Sequence, residues 1–154
     1  MTGLQVLQRL EAEDQRKRHP GFPYPPAVKH SDKTANGLTR AIIRYLQLTG
    51  HHAERVNNMG RRIDRTKVVA DTLGNRRVIG SVTWLPSTGA RGTADIHCVI
   101  SGGRSLYIEV KIGRDRQSSA QVTFQRKIEA VGALYYIAKD FQSFYDWFDK
   151  LTNA

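Results

Sequence analysis

A stretch near residue 100 alternates apolar and polar side chains with a period of two, and this pattern constrains the fold more than any other part of the chain. Positions 96, 98 and 100 and the even positions 106–112 are all apolar, whereas Asp95, Glu109 and Lys111 occupy odd positions. Side chains of a β-strand point alternately to its two faces. The pattern therefore predicts two strands that share one core face and one polar face.

A Ser-Gly-Gly turn at 101–103 joins the two predicted strands. Three-residue turns are common in β-hairpins, and glycine readily takes the positive φ that they need. This turn would pair position 100 with 104 and place Asp95 opposite Glu109, with their Cβ atoms about 5 Å apart. A turn of one or five residues would keep the same faces and shift the pairing by two.

Two carboxylates at that separation repel each other unless one is protonated or a cation lies between them. Oxygen ligands of this kind suit Mg²⁺ or Mn²⁺, and Lys111 could hold a water or stabilise charge on a phosphate. The alternative is a solvated polar face with one ion pair, which would contribute only about 0–1 kcal/mol. His97 shares this face, either as a general base or as a hydrogen-bonding neighbour.

The chain of 154 residues carries 24 Lys and Arg against 14 Asp and Glu, a net charge of +10. Such an excess favours a polyanionic partner, with nucleic acid ahead of a membrane surface, although solubility alone is an alternative. No apolar run approaches the roughly 18 residues that span a bilayer, so we expect no membrane partner and a cytoplasmic location. Cys98, the one cysteine, excludes a disulfide within the chain.

The positive charge is densest between positions 55 and 91. We predict that phosphate contacts come from this segment and from two arginines beyond the second strand: Arg55, Arg61, Arg62, Arg65, Lys67, Arg76, Arg77, Arg91, Arg114 and Arg116. Trp84 and Tyr107 could stack on bases, although core packing is the more common use of tryptophan.

Apolar spacing and turn residues predict the other elements. We predict that residues 1–30 form an arm, made of a helix over 4–18 and an extended proline-rich strap over 19–26. Residues 31–154 read as one domain. Its predicted elements are a helix over 34–49, a strand from 53, a hairpin around Gly74-Asn75, strands over 93–100 and 104–112, a helix over 118–131, a strand over 133–138 and a helix over 140–151.

The motif Gly92-Thr93-Ala94-Asp95, followed by Ile108-Glu109-Val110-Lys111, resembles the PD-(D/E)XK nuclease superfamily. The continuation is similar to the VRR-NUC branch, in which a Ser-x-x-Gln motif opens the helix after the second strand. Here that motif is Ser118 to Gln121, and the segment 132–137 follows it. The resemblance covers about residues 34–148.

The resemblance implies an α/β fold, a restriction-endonuclease-like αβββαβ core with a mixed central sheet flanked by helices. It implies Mg²⁺- or Mn²⁺-dependent endonuclease cleavage of nucleic acid, DNA ahead of RNA, with linear and branched or junction DNA both open, and a homodimer. Asp95, Glu109 and the Val110 carbonyl would bind the metal, and Lys111 would orient water or stabilise charge. Gln121 would assist at the edge of the site, although Ser118 and Gln121 also fit a capping box.

One departure from the family pattern concerns its first motif, a glutamate on the opening helix. The helix over 34–48 contains no Asp or Glu. Asn36 is the nearest polar substitute, and Glu54 is a second candidate. The missing carboxylate motivates the alternative function, a catalytically inactive nucleic-acid-binding module on a nuclease-like core.

Overall fold

A computed structural model describes residues 1–22, 24, 26–57, 60–87 and 89–153, so that two prolines of the predicted strap and positions 58, 59 and 88 of the basic segment lie outside the described residues. The helices are α1 (Gly3–Arg18), α2 (Ala35–Leu48), α3 (Ser119–Ala130) and α4 (Phe141–Thr152). Each begins after a Thr, Ser or Asp whose side chain accepts a hydrogen bond from a first-turn amide. All four were predicted to within two residues at each end.

The strands are β1 (His52–Arg55), β2 (Arg61–Asp64), β3 (Lys67–Ala70), β4 (Arg76–Ile79), β5 (Val82–Leu85), β6 (Ile96–Val99), β7 (Ser105–Val110) and β8 (Leu134–Ala138). The central sheet has the order β1-β6-β7-β8. In the β6–β7 hairpin Ile96 lies opposite Ile108 and Val99 opposite Ser105, which confirms the predicted register.

The sheet is mixed, because β8 runs parallel to β7 whereas β1, β6 and β7 are antiparallel neighbours. The helix α3 joins β7 to β8, because parallel neighbours need a long crossover connection, which is usually helical. A mixed α/β fold with a mixed central sheet is therefore confirmed. β6 is shorter than the predicted strand over 93–100, and the loop before it contains Gly92, whose φ is 80°.

The apolar face of the sheet packs against α2 and α4. Ile96, Cys98, Leu106 and Ile108 are fully buried there, together with Leu38, Ile42 and Leu46 of α2 and Phe141 and Phe144 of α4. Full burial of each large apolar side chain contributes about 1.5–3 kcal/mol. Burial also raises the pKa of Cys98 to about 11, which makes the thiol unreactive near neutral pH.

The predicted arm is packed through α1, whose Leu7 is fully buried in the same core. On α2, Arg44 donates to Glu11 at 2.6 and 3.0 Å and to Asp14 at 2.5 Å. This network lies among half-buried side chains, where charge-assisted hydrogen bonds are strong. It fixes α1 on α2, and the predicted boundary at residue 30 coincides with no boundary between compact units.

Two compact units divide the chain: residues 1–56 with 91–154, and residues 57–90. The second unit contains the antiparallel pairs β2–β5 and β3–β4. In the latter, Val68 lies opposite Val78, which confirms the hairpin predicted around Gly74-Asn75.

Candidate functional site

Asp95 is held at the end of β6 by the neighbouring strand of the hairpin. The backbone N–H of Val110 donates to Oδ2 of Asp95 at 2.9 Å, and the backbone carbonyl of Asp95 accepts from Val56 N–H at 2.8 Å. The backbone of the half-buried Asp95 is thus held by the end of β1 and its carboxylate by β7. The register predicted from the Ser-Gly-Gly turn accounts for this placement, because it brings Asp95 alongside the last residues of β7.

Glu109 is the most deeply buried acidic side chain of the site, with 1 % of its surface exposed. Its Oε1 lies 3.1 Å from Nζ of Lys111, which is itself 8 % exposed. Lys111 also lies 3.3 Å from Oδ2 of the exposed Asp115. A solvated polar face, the alternative interpretation of the alternation, is therefore wrong: two charged groups are buried together.

Gln121 joins the first turn of α3 to the buried carboxylate. Its Nε2 donates to Oε1 of Glu109. Its Oε1 accepts from the N–H of Ser118 at 2.8 Å, while its own N–H donates to Ser118 Oγ at 3.3 Å. The capping box and the contact at the edge of the site, which the sequence left as alternatives, are both present.

Gly92 is a residue of the site that sequence reasoning missed. A Cβ at this position would lie 2.3 Å from the carbonyl oxygen of Ala120 and 2.7 Å from the amide nitrogen of Gln121. The loop before Asp95 therefore packs directly on the first turn of α3. The signal was available as the glycine of the Gly-Thr-Ala-Asp motif, which needs both a positive φ and close backbone contact.

The electrostatics of the site favour an added positive charge. Burial raises the pKa of Glu109, and the nearby charge of Asp95 raises it further, against the hydrogen bond from Lys111. Burial alone would lower the pKa of Lys111, but the hydrogen bond and charge of Glu109 raise it above its ordinary value. The ammonium is therefore charged at neutral pH, and it only partly relieves the repulsion between the two carboxylates.

Tyr135 of β8 is a second neighbour that the sequence analysis did not identify. It lies opposite Tyr107 in the parallel pairing of β7 and β8, on the face that carries Glu109. Its hydroxyl accepts from Gln117 Nε2 at 3.3 Å, and burial raises its pKa to about 12. The same period-two reasoning applied to the 134–138 strand would have found it.

His97 contacts neighbours on the polar face of the sheet. The centre of its ring lies 4.7 Å from that of Tyr107, with the two ring planes tilted by 35°. Its Nε2 lies 3.5 Å from Ser105 Oγ, and its Nδ1 lies 3.9 Å from Glu54 Oε1. These contacts fit the hydrogen-bonding alternative for His97. The ring contact of Tyr107 with Phe124 of α3 gives Tyr107 a packing role.

Asn36 lies in the first turn of α2, where Thr34 is the N-cap. Its Oδ1 accepts from Arg55 at 3.0 Å, and its side chain is exposed. Among the hydrogen bonds of the described residues, none joins Asn36 to Asp95 or Glu109. Glu54, the second candidate, is 61 % exposed and faces His97.

The predicted phosphate-binding residues fall into two groups. Arg55, Arg91, Arg114 and Arg116 lie in the unit that contains the site, and all four are exposed. The other six lie in the second unit: Arg61, Arg62, Arg65, Lys67, Arg76 and Arg77. Trp84 also lies there and is 60 % exposed, so core packing is the wrong interpretation for it.

The donors of the site fit a small divalent cation. Glu109 Oε2 is buried and has no hydrogen-bond partner in the described part of the chain, and Asp95 supplies a second carboxylate beside it. Within the described ranges, no group of three or more His, Cys, Asp and Glu side chains is arranged to hold a metal. A cation here would therefore depend on two carboxylates, a backbone carbonyl and water, a set that Mg²⁺ accepts.

Searches with protein-family models and against curated proteins found no match to the chain. No helix in the described residues has the length and apolarity needed to cross a membrane.

Proposed function

We propose that the chain is a metal-dependent nuclease that hydrolyses phosphodiester bonds in DNA with Mg²⁺ or Mn²⁺. The observation that carries the proposal is the buried Glu109. One of its oxygens is bound by Lys111 and Gln121, and the other is left without a partner beside Asp95. Leaving such an oxygen unpaired is costly unless a ligand binds it.

Asp95, Glu109 and the carbonyl of Val110 would hold the cation. When bound, it would supply Lewis-acid stabilisation of a phosphate oxygen and a water made more acidic. Asp95 is oriented for this role by the Val110 amide, and Glu109 by the Gln121 amide. Because these hydrogen bonds fix the carboxylates in advance, little reorganisation is needed when the ligand binds.

Lys111 would stabilise negative charge that develops on the phosphate. Its ammonium is buried to nine-tenths and stays protonated through its contact with Glu109. A charge in a site that excludes water acts more strongly than one in solvent. Gln121 would position Glu109 from the start of α3. The restriction-endonuclease-like arrangement implied by the family resemblance, the homodimer and the cytoplasmic location belong to the same proposal.

The experiment is a cleavage assay on labelled linear, branched and single-stranded DNA with Mg²⁺, Mn²⁺ or EDTA. Asp95→Asn, Glu109→Gln and Lys111→Met each keep side-chain size and remove one charge. We expect each to lower single-turnover cleavage by at least about 10²-fold with DNA affinity retained. Lys127→Met, an exposed lysine on α3, is the matched control. Activity in EDTA, or full activity of Lys111→Met, would overturn the proposal.

A specific observation favours a second candidate, a nucleic-acid-binding module without catalysis. Asn36, the substitute for the family's helix glutamate, is bonded to Arg55. A site with fewer carboxylates binds divalent cations more weakly. Saturable DNA binding without cleavage at any concentration of Mn²⁺ would favour this second candidate.

A further inference from the structure

The second unit contains two antiparallel strand pairs in succession, which we together call the ribbon and define as residues 61–85. Arg61 lies opposite Leu85 at one end, and Ala70 lies opposite Arg76 at the other. The two strand pairs share a single register, and the N–H of Arg65 donates to the carbonyl of Ser81 at 3.1 Å between them. Each side of the ribbon therefore spans ten residues, eight in strands and two in the break between the strand pairs, where Gly80 has φ of 100°. At a rise of about 3.3 Å per residue, ten extended residues would reach at most about 33 Å.

The ribbon has no buried face. Within residues 61–85, Ile63 is the one residue that is not exposed. The opposed Val68 and Val78 are each 66 % exposed, and Trp84 is 60 % exposed. A two-stranded sheet with neither face covered is marginally stable in water, and exposed apolar side chains on a regular element are typical of a surface that meets a partner.

The charge of the ribbon indicates which partner. It contains six Lys and Arg and two Asp, and both acids are used locally. Asp64 accepts from Thr66 at 2.6 Å and from Arg62 at 3.1 Å, and Asp71 accepts from two amides at the tip of the hairpin.

Within the described part of the chain, the other five cations form no ion pair with a carboxylate. They are Arg61, Arg65, Lys67, Arg76 and Arg77. A second copy of the ribbon would oppose like charges, which is destabilising. A polyanion would neutralise them instead.

We propose that the ribbon docks in the major groove of B-form duplex DNA, a proposal that rests on the proposed function for its choice of nucleic acid. The major groove of B-DNA is about 12 Å wide and admits a two-stranded β-ribbon. The ten residues on each side, at most about 33 Å when extended, approach the length of one helical turn of about 34–36 Å. Strand side chains alternate between faces, so Lys67, Val69 and Arg77 lie on the opposite face of the β3–β4 pair from Val68 and Val78. With the face of Lys67 and Arg77 in the groove, the cations reach phosphates on the groove walls, and Val69 contacts base edges and thymine methyl groups. The major groove of duplex RNA is too narrow for such a ribbon.

The test measures equilibrium binding of the full chain in EDTA, so that DNA is not cut. Three fluorescent 20-base-pair duplexes of one sequence are compared: DNA, DNA whose cytosines carry glucosylated 5-hydroxymethyl groups, and RNA. The modified duplex keeps every phosphate and fills the major groove. We expect binding to unmodified DNA to be at least about tenfold tighter than to the other two.

The matched variants each remove four exposed cations. One is Arg61→Gln/Arg65→Gln/Lys67→Gln/Arg77→Gln in the ribbon. The control is Arg16→Gln/Lys17→Gln/Lys127→Gln/Lys150→Gln on α1, α3 and α4. The slope of log K against log salt is negative, and we expect the ribbon variant to reduce its magnitude by about 0.9 for each phosphate that it no longer neutralises. The control should leave the slope nearly unchanged.

Three results would overturn the inference. Equal binding to all three duplexes would show that phosphates are contacted without groove insertion. Equal effects of the two variants would show only a dependence on net charge, and ribbon-dependent binding to phosphatidylserine vesicles with unchanged DNA affinity would assign the ribbon to a membrane. The cleavage assay tests the nuclease proposal separately. If the chain prefers unmodified DNA in the binding test and does not cut it, the nuclease proposal fails and the ribbon proposal stands.

Discussion

The substitution Gly92→Ala tests how the loop before Asp95 and the first turn of α3 hold each other. The added Cβ would lie 2.3 Å from the Ala120 carbonyl oxygen, whereas ordinary contacts begin near 3.4 Å. One of the two segments must therefore move by about 1 Å. The residue must also keep its φ of 80°, which side chains other than glycine rarely adopt.

The two costs can be separated, because the chain offers a glycine of nearly the same φ in open space. Gly102 has φ of 82°, and its Cβ would meet no atom within 4 Å. Gly102→Ala should cost only the backbone conformation, about 1–2 kcal/mol. Gly92→Ala should cost that amount and about 1–3 kcal/mol more for overpacking. Urea unfolding followed by circular dichroism measures both differences in the free energy of unfolding.

The second measurement on these variants is the rate of DNA cleavage. A shift of about 1 Å in the first turn of α3 displaces Gln121 and, through it, Glu109, and such misplacement can lower a rate by about 10²-fold. Gly102→Ala should leave the cleavage rate unchanged, since the turn at 101–103 lies at the other end of the β6–β7 hairpin. Equal losses of stability in the two variants, with equal cleavage rates, would refute the packing argument.

Two further predictions concern other parts of the chain. The hydrogen bond from Arg44 lowers the pKa of Glu11 in the folded state. The ionised Glu11 should therefore contribute its full stabilisation of the fold above the ordinary pKa of 4.5, and this contribution should be lost as the pH falls through the lower pKa of the folded state. Glu11→Gln should therefore cost about 2–3 kcal/mol at pH 7 in chemical unfolding, and the cost should shrink as the pH falls below 4.5; a cost independent of pH would contradict this. Asn36→Ala should change the Mn²⁺ concentration for half-maximal cleavage by less than about twofold, since Asn36 is bonded to Arg55. A tenfold change in that Mn²⁺ concentration would indicate that Asn36 takes part in metal binding.

The alternation of the β6–β7 hairpin was the most informative feature of the sequence. Parity and turn length together fix a register, because one buried face forbids a slip of one residue. That reasoning predicted the Ile96–Ile108 pairing and the approach of Asp95 to the end of β7. Helix bounds followed from apolar spacing and from local signals such as the capping box of Ser118 and Gln121, which acts over only a few residues.

The alternation could not predict the burial of Glu109 and Lys111, because that burial depends on which helix covers the polar face of the sheet. The ion pair between Arg44 and Glu11 joins residues 33 apart in the chain, and no local pattern encodes it. The β2–β5 pairing was also missed. Its strands lack the alternation that a buried face imposes, since neither of their faces is buried.

The side-chain amide of Gln121 forms hydrogen bonds through both of its polar atoms: the oxygen accepts from Ser118, and the nitrogen donates to Glu109. Glutamate at this position would keep the acceptor and bring a third negative charge to Glu109. Lysine would pair with Glu109 and lose the cap, and asparagine is one methylene too short to span both. Few side chains satisfy the two demands together, so the start of this helix and the orientation of the carboxylate cannot be varied independently, by mutation or by design.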